Sequence, residues 1–292
     1  RVPAPHGAEP DRVTAADTTG RIDREDARRA LAAGVAPRRW GSWYVAEHRL
    51  LAMKGYVGEA VFQSFGNPLI YLFALGVGLA SLVPQGVAGV SYLEFVAPAL
   101  MATAAMTIAA NETTYPVLMG FKWNPTFFGM NAAPLTGGQI VNGIMLAILA
   151  RMIMTVTIYF GVILAFGAVP SAWGVLAIGS AVLTGMAIGL VLSSYTSTIK
   201  DDRGQMAMIQ RFGIMPLFLF SGTFFPLEQL PVYLQPIGWI SPLWHGAELG
   251  RVATYGLEES LWLTVTHVGY LSGIIVVGLW ATRRHFVRRL NR

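Results

Sequence analysis

The sequence predicts an all-α integral membrane protein with six transmembrane helices, an N-terminal interfacial amphipathic helix and an extracytoplasmic re-entrant helical hairpin between spans 5 and 6. Of its 292 residues 54% are hydrophobic and only 13% charged, whereas about a quarter of an average soluble domain is charged. Uncharged apolar stretches of about 20 residues recur, which is enough to cross a hydrocarbon core of about 30 Å. Residues 226–256 are apolar and aromatic but broken by prolines, so they suit neither a solvated loop nor a single span.

The N-terminal residues 1–36 are polar, of mixed charge and without an apolar core, so we expect a largely disordered cytoplasmic tail rather than a signal peptide. Alternating charges allow a short helix over 21–33. The membrane domain is expected at 37–292, beginning with aromatic and basic residues over 38–62. That mixture favours a helix lying in the interface, and the alternative is a plain juxtamembrane linker.

The apolar runs place the membrane spans along the chain. They are expected at approximately 65–83, 92–110, 139–169, 173–195, 205–225 and 260–281. Arg151 lies about 18 Å into the third helix if that helix begins near residue 139. It either extends to the inner headgroups or pairs with an acid inside the bundle, and the length of 152–169 favours the first.

The connection over 112–138 is too long for a simple turn between two spans. Its centre, FKWNPTFFGMNAAPL, mixes aromatic residues with single polar ones. This composition favours a short helix under the membrane that contacts a partner, and the alternative is an ordinary surface loop.

The distribution of Lys and Arg predicts the orientation. Four lie in 38–58, one in 112–137, three in 198–211 and five in 283–292, whereas Arg251 alone flanks the opposite side. Positively charged flanks remain on the cytoplasmic side, so both termini are expected in the cytoplasm of a multi-pass inner (plasma) membrane protein.

This orientation puts the proline-broken segment outside. Ser241 is suited to be an N-cap and Pro242 the first residue of a short helix over 242–254. Residues 227–240 can form another, bent at its prolines. Two such helices folded back into the outer leaflet would bury their aromatic side chains and satisfy their backbone.

The sequence argues against several kinds of chemistry. It has no cysteine, no G-x-x-x-x-G-K-[ST] phosphate loop, no H-E-x-x-H and no basic aromatic stripe for nucleic acid. His245, three residues before Glu248, could serve a metal or a proton relay, but a lone histidine among aromatic residues is more often structural, and so is His267. We therefore predict no metal, no catalytic residue and no cofactor in this chain.

The scarcity of ionisable residues in the spans also disfavours ion coupling, because secondary transporters bind their coupling ion with such groups. The energy must then come from elsewhere, and an ATPase that docks on the cytoplasmic face is the natural source.

The segment PLFLFSGTFFPLEQLPVYLQPIGWISPLWHGAELGR, residues 216–251, resembles the signature of ABC-2 type exporter permeases, particularly the daunorubicin-resistance and nodulation-factor exporter permease group. The resemblance covers about 38–292. It implies a six-helix domain that dimerises with a second permease copy or a homologous permease. It also implies two ATP-binding cassette ATPase subunits, which would supply ATP and Mg.

The resemblance further implies a coupling helix at about 119–131, a substrate path near spans 1 and 5, and an outer gate in the hairpin. The coupling residues would be Phe121, Lys122, Trp123, Asn124, Phe127 and Phe128. Aromatic residues that could line the path, or equally face lipid or the core, are Phe65, Tyr71, Phe73, Phe218 and Phe224. The outer gate would contain Phe225, Glu228, Trp239, Trp244, His245 and Glu248.

The function expected from these observations is the permease subunit of an ATP-driven exporter for an amphiphilic drug, lipid-linked or glycolipid-like substrate. The alternatives are an ion-coupled secondary transporter that acts alone and a membrane-embedded enzyme that uses His245 and Glu248 on lipid.

Overall fold

A computed structural model describes residues 24–56, 58, 62, 66, 69–79 and 85–291, and this part of the chain is helical apart from its connections. The α-helices are α1 (Arg24–Ala33), α2 (Val35–Met53), α3 (Tyr92–Thr113), α4 (Tyr115–Phe121), α5 (Thr126–Ala132), α6 (Gly137–Ala165), α7 (Leu176–Thr198), α8 (Gln205–Met208), α9 (Met215–Phe220), α10 (Gln235–Ile240), α11 (Pro242–Tyr255) and α12 (Leu261–Leu290). Leu72–Leu79 and Ile209–Ile214 are π-helical, and Lys54–Tyr56, Ala172–Val175 and Leu227–Gln229 are 3₁₀ turns.

Within the described residues, four helical stretches are long and apolar enough to cross a membrane. They are Tyr92–Phe121, Gly137–Ala165, Ala172–Thr198 and Leu261–Leu290. Of the first expected span, 65–83, the structure describes residues 66 and 69–79, and Leu72–Leu79 there is π-helical. In the fifth expected span, 205–225, an α-helix of 4 residues and one of 6 residues are separated by the six-residue π-helix Ile209–Ile214. The chain leaves the helix after Phe220.

Local capping explains where two of the long helices begin. At α3, Ser91 Oγ accepts from the Glu94 amide at 3.2 Å, and the Glu94 carboxylate accepts from the Ser91 amide at 2.8 Å. Thr136 and Gln139 form the same reciprocal pair at α6, with distances of 3.2 and 2.9 Å. Both pairs satisfy amides that the first helical turn leaves free.

Helix α7 is packed so closely on its neighbours that glycines are required at the contacts. A Cβ added at Gly185 would lie 2.8 Å from the Ala105 carbonyl oxygen of α3, and one at Gly278 of α12 would lie 2.9 Å from Leu190 Cβ of α7. The G-x-x-x-G pair of α7, Gly185 and Gly189, therefore packs against α3 within the chain.

Helix α2 lies across α6 at a similar close approach, because a Cβ at Gly143 would lie 2.5 Å from the Ser42 carbonyl oxygen. Its Trp40, Trp43 and Tyr44 side chains point away from the bundle and are exposed. The segment 1–36, expected to be largely disordered, contains the helix α1 at Arg24–Ala33, where the alternating charges allowed one.

Helix α12 connects two regions. Near its start His267 contacts the 226–256 segment, and near its end Phe286 contacts the connection between α3 and α6. These residues are 19 positions apart, or about 28 Å along a helix, close to the thickness of a hydrocarbon core. We call the two regions the cap (226–256) and the connection (114–136).

Candidate functional site

The connection differs from the single helix expected over 119–131. It forms two seven-residue helices, α4 and α5, separated by a turn at 122–125. Pro125 disfavours helical backbone at Asn124, and the Asn124 amide instead closes α4 by donating to the Met119 carbonyl at 2.9 Å. Pro125 is therefore the physical reason that the connection forms two short helices and not the single helix expected.

Two of the six expected coupling residues are buried. Phe121 and Phe127 pack edge to face with ring centroids 4.9 Å apart, and both contact the Phe286 ring of α12, at 4.7 and 5.3 Å. The Arg289 guanidinium lies over the Phe121 ring at 4.0 Å and donates to the Ser197 carbonyl of α7. Phe121 and Phe127 thus join the connection to α7 and α12.

The other four, Lys122, Trp123, Asn124 and Phe128, are exposed, and we call them the ledge. Trp123 is 55% exposed and its ring stacks on Tyr115 at 6.4 Å. Lys122 forms an ion pair with Asp201 in the turn after α7, and this lysine holds the pKa of the Asp201 carboxyl below its usual value. The ledge is therefore an exposed surface whose position is fixed by the Lys122–Asp201 ion pair and the Trp123–Tyr115 ring contact.

A cavity of about 480 Å³ lies between α3, α6 and residues 210–218. Its wall residues repeat at helical spacing: Thr103, Thr107 and Asn111 come from α3, and Arg151, Thr155 and Tyr159 from α6. Gln210, Arg211 and Phe218 line the remaining side, and Tyr71 lies across from them.

One end of this cavity is polar and cationic. Arg151 forms an ion pair with Glu112, the last acid of α3, and Arg49 of α2 approaches the same carboxylate at 4.0 Å. Gln210 donates to the Asn111 side-chain oxygen at 3.4 Å. Of the two arrangements open to Arg151, the ion pair is the one observed, at the same end of α3 and α6 as the connection.

The expected substrate-path residues separate into two groups. Tyr71 and Phe218 line the cavity, with their rings edge to face at 6.2 Å. Phe224 packs behind Phe218 at 4.9 Å, and Phe73 contacts Phe166 at 5.4 Å. Phe65 lies outside the described residues. Tyr159 was missed, although its spacing from Arg151 and Thr155 puts all three on one helix face.

The cap forms the helix expected after Ser241, whereas of the helix expected over 227–240 only the 3₁₀ turn Leu227–Gln229 and the six residues Gln235–Ile240 are helical. Ser241 caps α11 by accepting from the Leu243 amide at 3.1 Å, with Pro242 as the first helical residue. Ser221 donates to Ser241 Oγ at 2.6 Å, which fastens the cap to the preceding segment. The helix ends at Gly256, whose positive φ of 73° favours glycine.

Arg251 is the central side chain of the cap and is only 1% exposed. It donates to the Phe95 carbonyl of α3 at 3.2 Å, to the Gly222 carbonyl at 2.6 Å and to the Glu248 carboxylate at 2.7 Å. Its guanidinium also lies 3.8 Å from the centre of the Phe95 ring. The sequence showed Arg251 only as the isolated basic residue of the outer side.

His245 and His267, assessed separately in the sequence, form one hydrogen-bonded chain with Glu259. His245 Nε2 faces the Trp239 carbonyl at 3.0 Å, the two Nδ1 atoms are 2.5 Å apart, and His267 Nε2 lies 2.9 Å from Glu259. A carbonyl only accepts, so His245 Nε2 carries a hydrogen and its Nδ1 accepts from His267.

The remaining expected gate residues occupy different surroundings. Trp244 contacts both histidine rings at 5.0 Å, whereas Trp239 and Glu228 are exposed and Phe225 is half-buried. Glu248 pairs with Arg251 and His245 with His267, and the two side chains are not hydrogen-bonded to each other.

Comparison with known proteins agrees with this architecture. Residues 50–255 match the family model described as ABC-2 type transporter. The chain is 31% identical over 284 residues to Nodulation protein J of Neorhizobium galegae, covering 94% of this chain and all of that protein. It is 31% identical over 243 residues to Nodulation protein J of Rhizobium leguminosarum bv. viciae, covering 83% and 92% of the two chains.

The match spans the cavity wall, the connection and the cap through the end of α11. More than half of the chain is included, and the relatives are matched over nearly their whole length. The chain therefore belongs to the ABC-2 type transporter family of membrane permeases.

Proposed function

We propose that the chain is the transmembrane permease subunit of an ATP-driven exporter that moves an amphiphilic drug, lipid-linked or glycolipid-like substrate out of the cytoplasm or inner leaflet. Family membership supports the transport function, and the ledge supports docking of a separate ATPase subunit. Exposed Trp123 and Phe128 flank a polar Asn124 on a base of buried rings. An aromatic, rigidly supported surface of this kind is typical of a protein–protein contact.

The ledge lies at the basic end of the bundle. Lys122, Asp201 and Arg289 bring the connection, the turn after α7 and the end of α12 together there. The strong bias of Lys and Arg toward these flanks supports a cytoplasmic position for this end and for both termini, in the inner (plasma) membrane. The cap then faces outside, about 28 Å away along α12.

Six spans follow if 65–83 and 205–225 cross beside the four long helices. The cap would fold back into the outer leaflet, where the Arg251 contacts and the histidine chain satisfy its polar groups. Helix α2 would lie at the inner interface with Trp40, Trp43 and Tyr44 toward lipid headgroups.

The partners of the permease are a second permease copy and a separate ATP-binding cassette subunit that binds ATP and Mg. Closure of the ATPase pair would push on the ledge. The Phe121–Phe286 contact, with centroids 4.7 Å apart, would transmit that push to α12. The cavity between α3, α6 and residues 210–218 is suited to receive substrate from the side.

The experiment is co-expression with the candidate ATP-binding chain, co-purification, and transport in proteoliposomes with and without ATP. In the complex, Trp123→Ala is expected to weaken ATPase binding about 30-fold, because truncating a central interface aromatic costs about 2 kcal/mol. Trp173→Ala is the matched control, since Trp173 is 71% exposed and precedes α7 at its opposite end. Phe121→Ala is unsuitable because Phe121 is buried. Unchanged binding in Trp123→Ala would remove the ledge from the interface.

An ion-coupled transporter remains the second candidate, because the Glu259–His267–His245 chain could carry a proton. His267 lies six residues into α12, however, about 9 Å from its start, whereas coupling sites lie near the midplane. Uptake driven by a proton gradient without ATP or a partner would favour this candidate and contradict the first.

A further inference from the structure

Tyr159 has an unsatisfied hydroxyl group on the wall of the cavity. The side chain is 2% exposed, and the hydroxyl has no hydrogen-bond partner among the described residues. Buried hydroxyls are normally paired, because leaving one unpaired is costly. A group that is buried, unpaired and adjacent to empty space indicates a ligand that completes the bond.

The cavity is also graded in polarity along the helix axes. Its cationic end holds Arg211 and Arg151, the latter paired with Glu112, and no carboxylate is among the wall residues that the structure describes. Arg211 has no ion-pair partner within the described part of the chain. Tyr159 lies eight residues beyond Arg151 on the same face of α6, about 12 Å away. Thr107 and Thr155 lie between these two levels.

The far end of the cavity is apolar and aromatic. Leu100, Tyr71 and Phe218 form its walls there, and Ile214 and Met215 continue them along one side. A volume of about 480 Å³ is in the range of drug-sized sites. The whole space fits an elongated molecule with one charged end.

We propose that this cavity binds an anionic amphiphile, with its head at Arg211 and Arg151 and its apolar body against Tyr71 and Phe218. The Tyr159 hydroxyl donates to, or accepts from, a hydroxyl, carbonyl or sulfonamide group about 12 Å along that body. Tyr159 and Arg211 are the specificity residues. The inference rests on the exporter function proposed above and names the substrate class.

The test uses the full chain in phosphatidylcholine nanodiscs and three fluorescent probes of equal length. These are a dansylamino-undecanoic acid, its methyl ester and the corresponding amine, which share the fluorophore and the alkyl chain and carry an anionic, a neutral and a cationic head group. Binding is measured by anisotropy, and the signal from empty nanodiscs is subtracted. We expect the acid to bind about tenfold more tightly than the ester, from its charge-assisted contacts, and the amine most weakly.

Two substitutions locate the binding. Arg211→Gln should reduce affinity for the acid about tenfold and leave the ester unchanged, and Tyr159→Phe should reduce affinity for both about fivefold. Arg288→Gln and Tyr195→Phe are matched controls at exposed positions outside the cavity. Because the Tyr159 hydroxyl is unpaired without ligand, Tyr159→Phe should not lower the melting temperature of the free protein. A drop in that temperature, as for a structural hydroxyl, would contradict the proposal.

Equal binding of the three probes, a preference for the amine, or no effect of the two substitutions would overturn the inference. If the Tyr159 hydroxyl bonds to a water molecule and not to the ligand, Tyr159→Phe should leave the affinity for all three probes unchanged. Adding phosphatidylglycerol to the nanodiscs shows where the natural ligand comes from. If the anionic lipid displaces the acid probe, the occupant of the cavity is a bilayer lipid. If the acid probe stays bound, the occupant is a separate cargo molecule. ATP-driven transport of cationic amphiphiles alone would contradict the inference and leave the exporter function standing.

Discussion

Replacing Arg251 with methionine tests whether the cap is held by a single buried cation. The substitution keeps an unbranched side chain but removes all three donors. It removes the side-chain donor to the Phe95 and Gly222 carbonyls and leaves the Glu248 carboxylate, 15% exposed, without its partner.

The magnitude follows from these groups. Breaking a buried ion pair on one side costs about 3–5 kcal/mol, because the remaining charge is stranded in a poorly solvated site. At roughly 2–4 °C per kcal/mol for a chain of this size, the melting temperature should fall by about 10 °C. Arg288→Met is the control, since Arg288 is exposed in the last turn of α12.

Intrinsic tryptophan fluorescence of purified protein in one detergent provides the assay, because the chain has eight tryptophans. Glu248→Gln should lower the melting temperature less than Arg251→Met, because the Arg251 guanidinium still donates to both carbonyls. The double variant Arg251→Met/Glu248→Leu should recover part of the loss, because it leaves no stranded carboxylate. Melting of Arg251→Met within 2 °C of Arg288→Met, on a scale where about 1 kcal/mol already gives that shift, would refute the reasoning.

Three further predictions concern packing, protonation and mobility. A Cβ at Gly246 would lie 1.7 Å from a threonine hydroxyl of α7, so Gly246→Ala should lose about 1–3 kcal/mol of stability by overpacking. Gly179→Ala is the control and should not lose stability, because the space around Gly179 is open. Equal melting temperatures of the two variants would contradict this prediction. Burial, and then the neighbouring His267, lower the pKa of His245 from 6.5 to about 4, so the folded cap keeps this side chain neutral. Its contribution to stability should be complete above pH 6.5 and lost as the pH falls toward about 4, and His245→Gln should remove that part of the pH dependence measured by thermal melting. Amides in residues 205–220 should exchange hydrogen faster than those of α7, because no residue of Met215–Phe220 is buried, and equal protection would disprove the difference.

Helix α11 of the cap could be predicted because its signals are local. Ser241 and Pro242 start α11, and Gly256 ends it, through contacts within a few residues. The same holds for the capping pairs of α3 and α6. The turn in the connection also depends on a local signal, because Pro125 disfavours helical backbone at the residue before it and so predicts two helices.

The central side chains of the site could not be predicted in this way. Arg251 binds carbonyls 156 and 29 residues away, and His267 meets His245 across 22 residues. Such contacts exist only after the helices pack. Aromatic residues in a span are likewise ambiguous, because Phe73 and Phe218 have the same chemistry and only the fold directs Phe218 into the cavity.

The packing also indicates where an exporter of this design can move. Helices α3, α7 and α12 meet at glycines such as Gly185 and Gly278, where an added Cβ would lie within 3 Å of a neighbour, so they cannot slide without clashes. The wall at 205–220 is different, since its helical geometry changes at Ile209–Ile214 and its final helix is not buried. That wall carries Arg211 and Phe218, one at each end of the cavity. In the exporter proposed above, a push transmitted through the rigid helices would act on the substrate by displacing this segment, because it is the side of the cavity least constrained by packing.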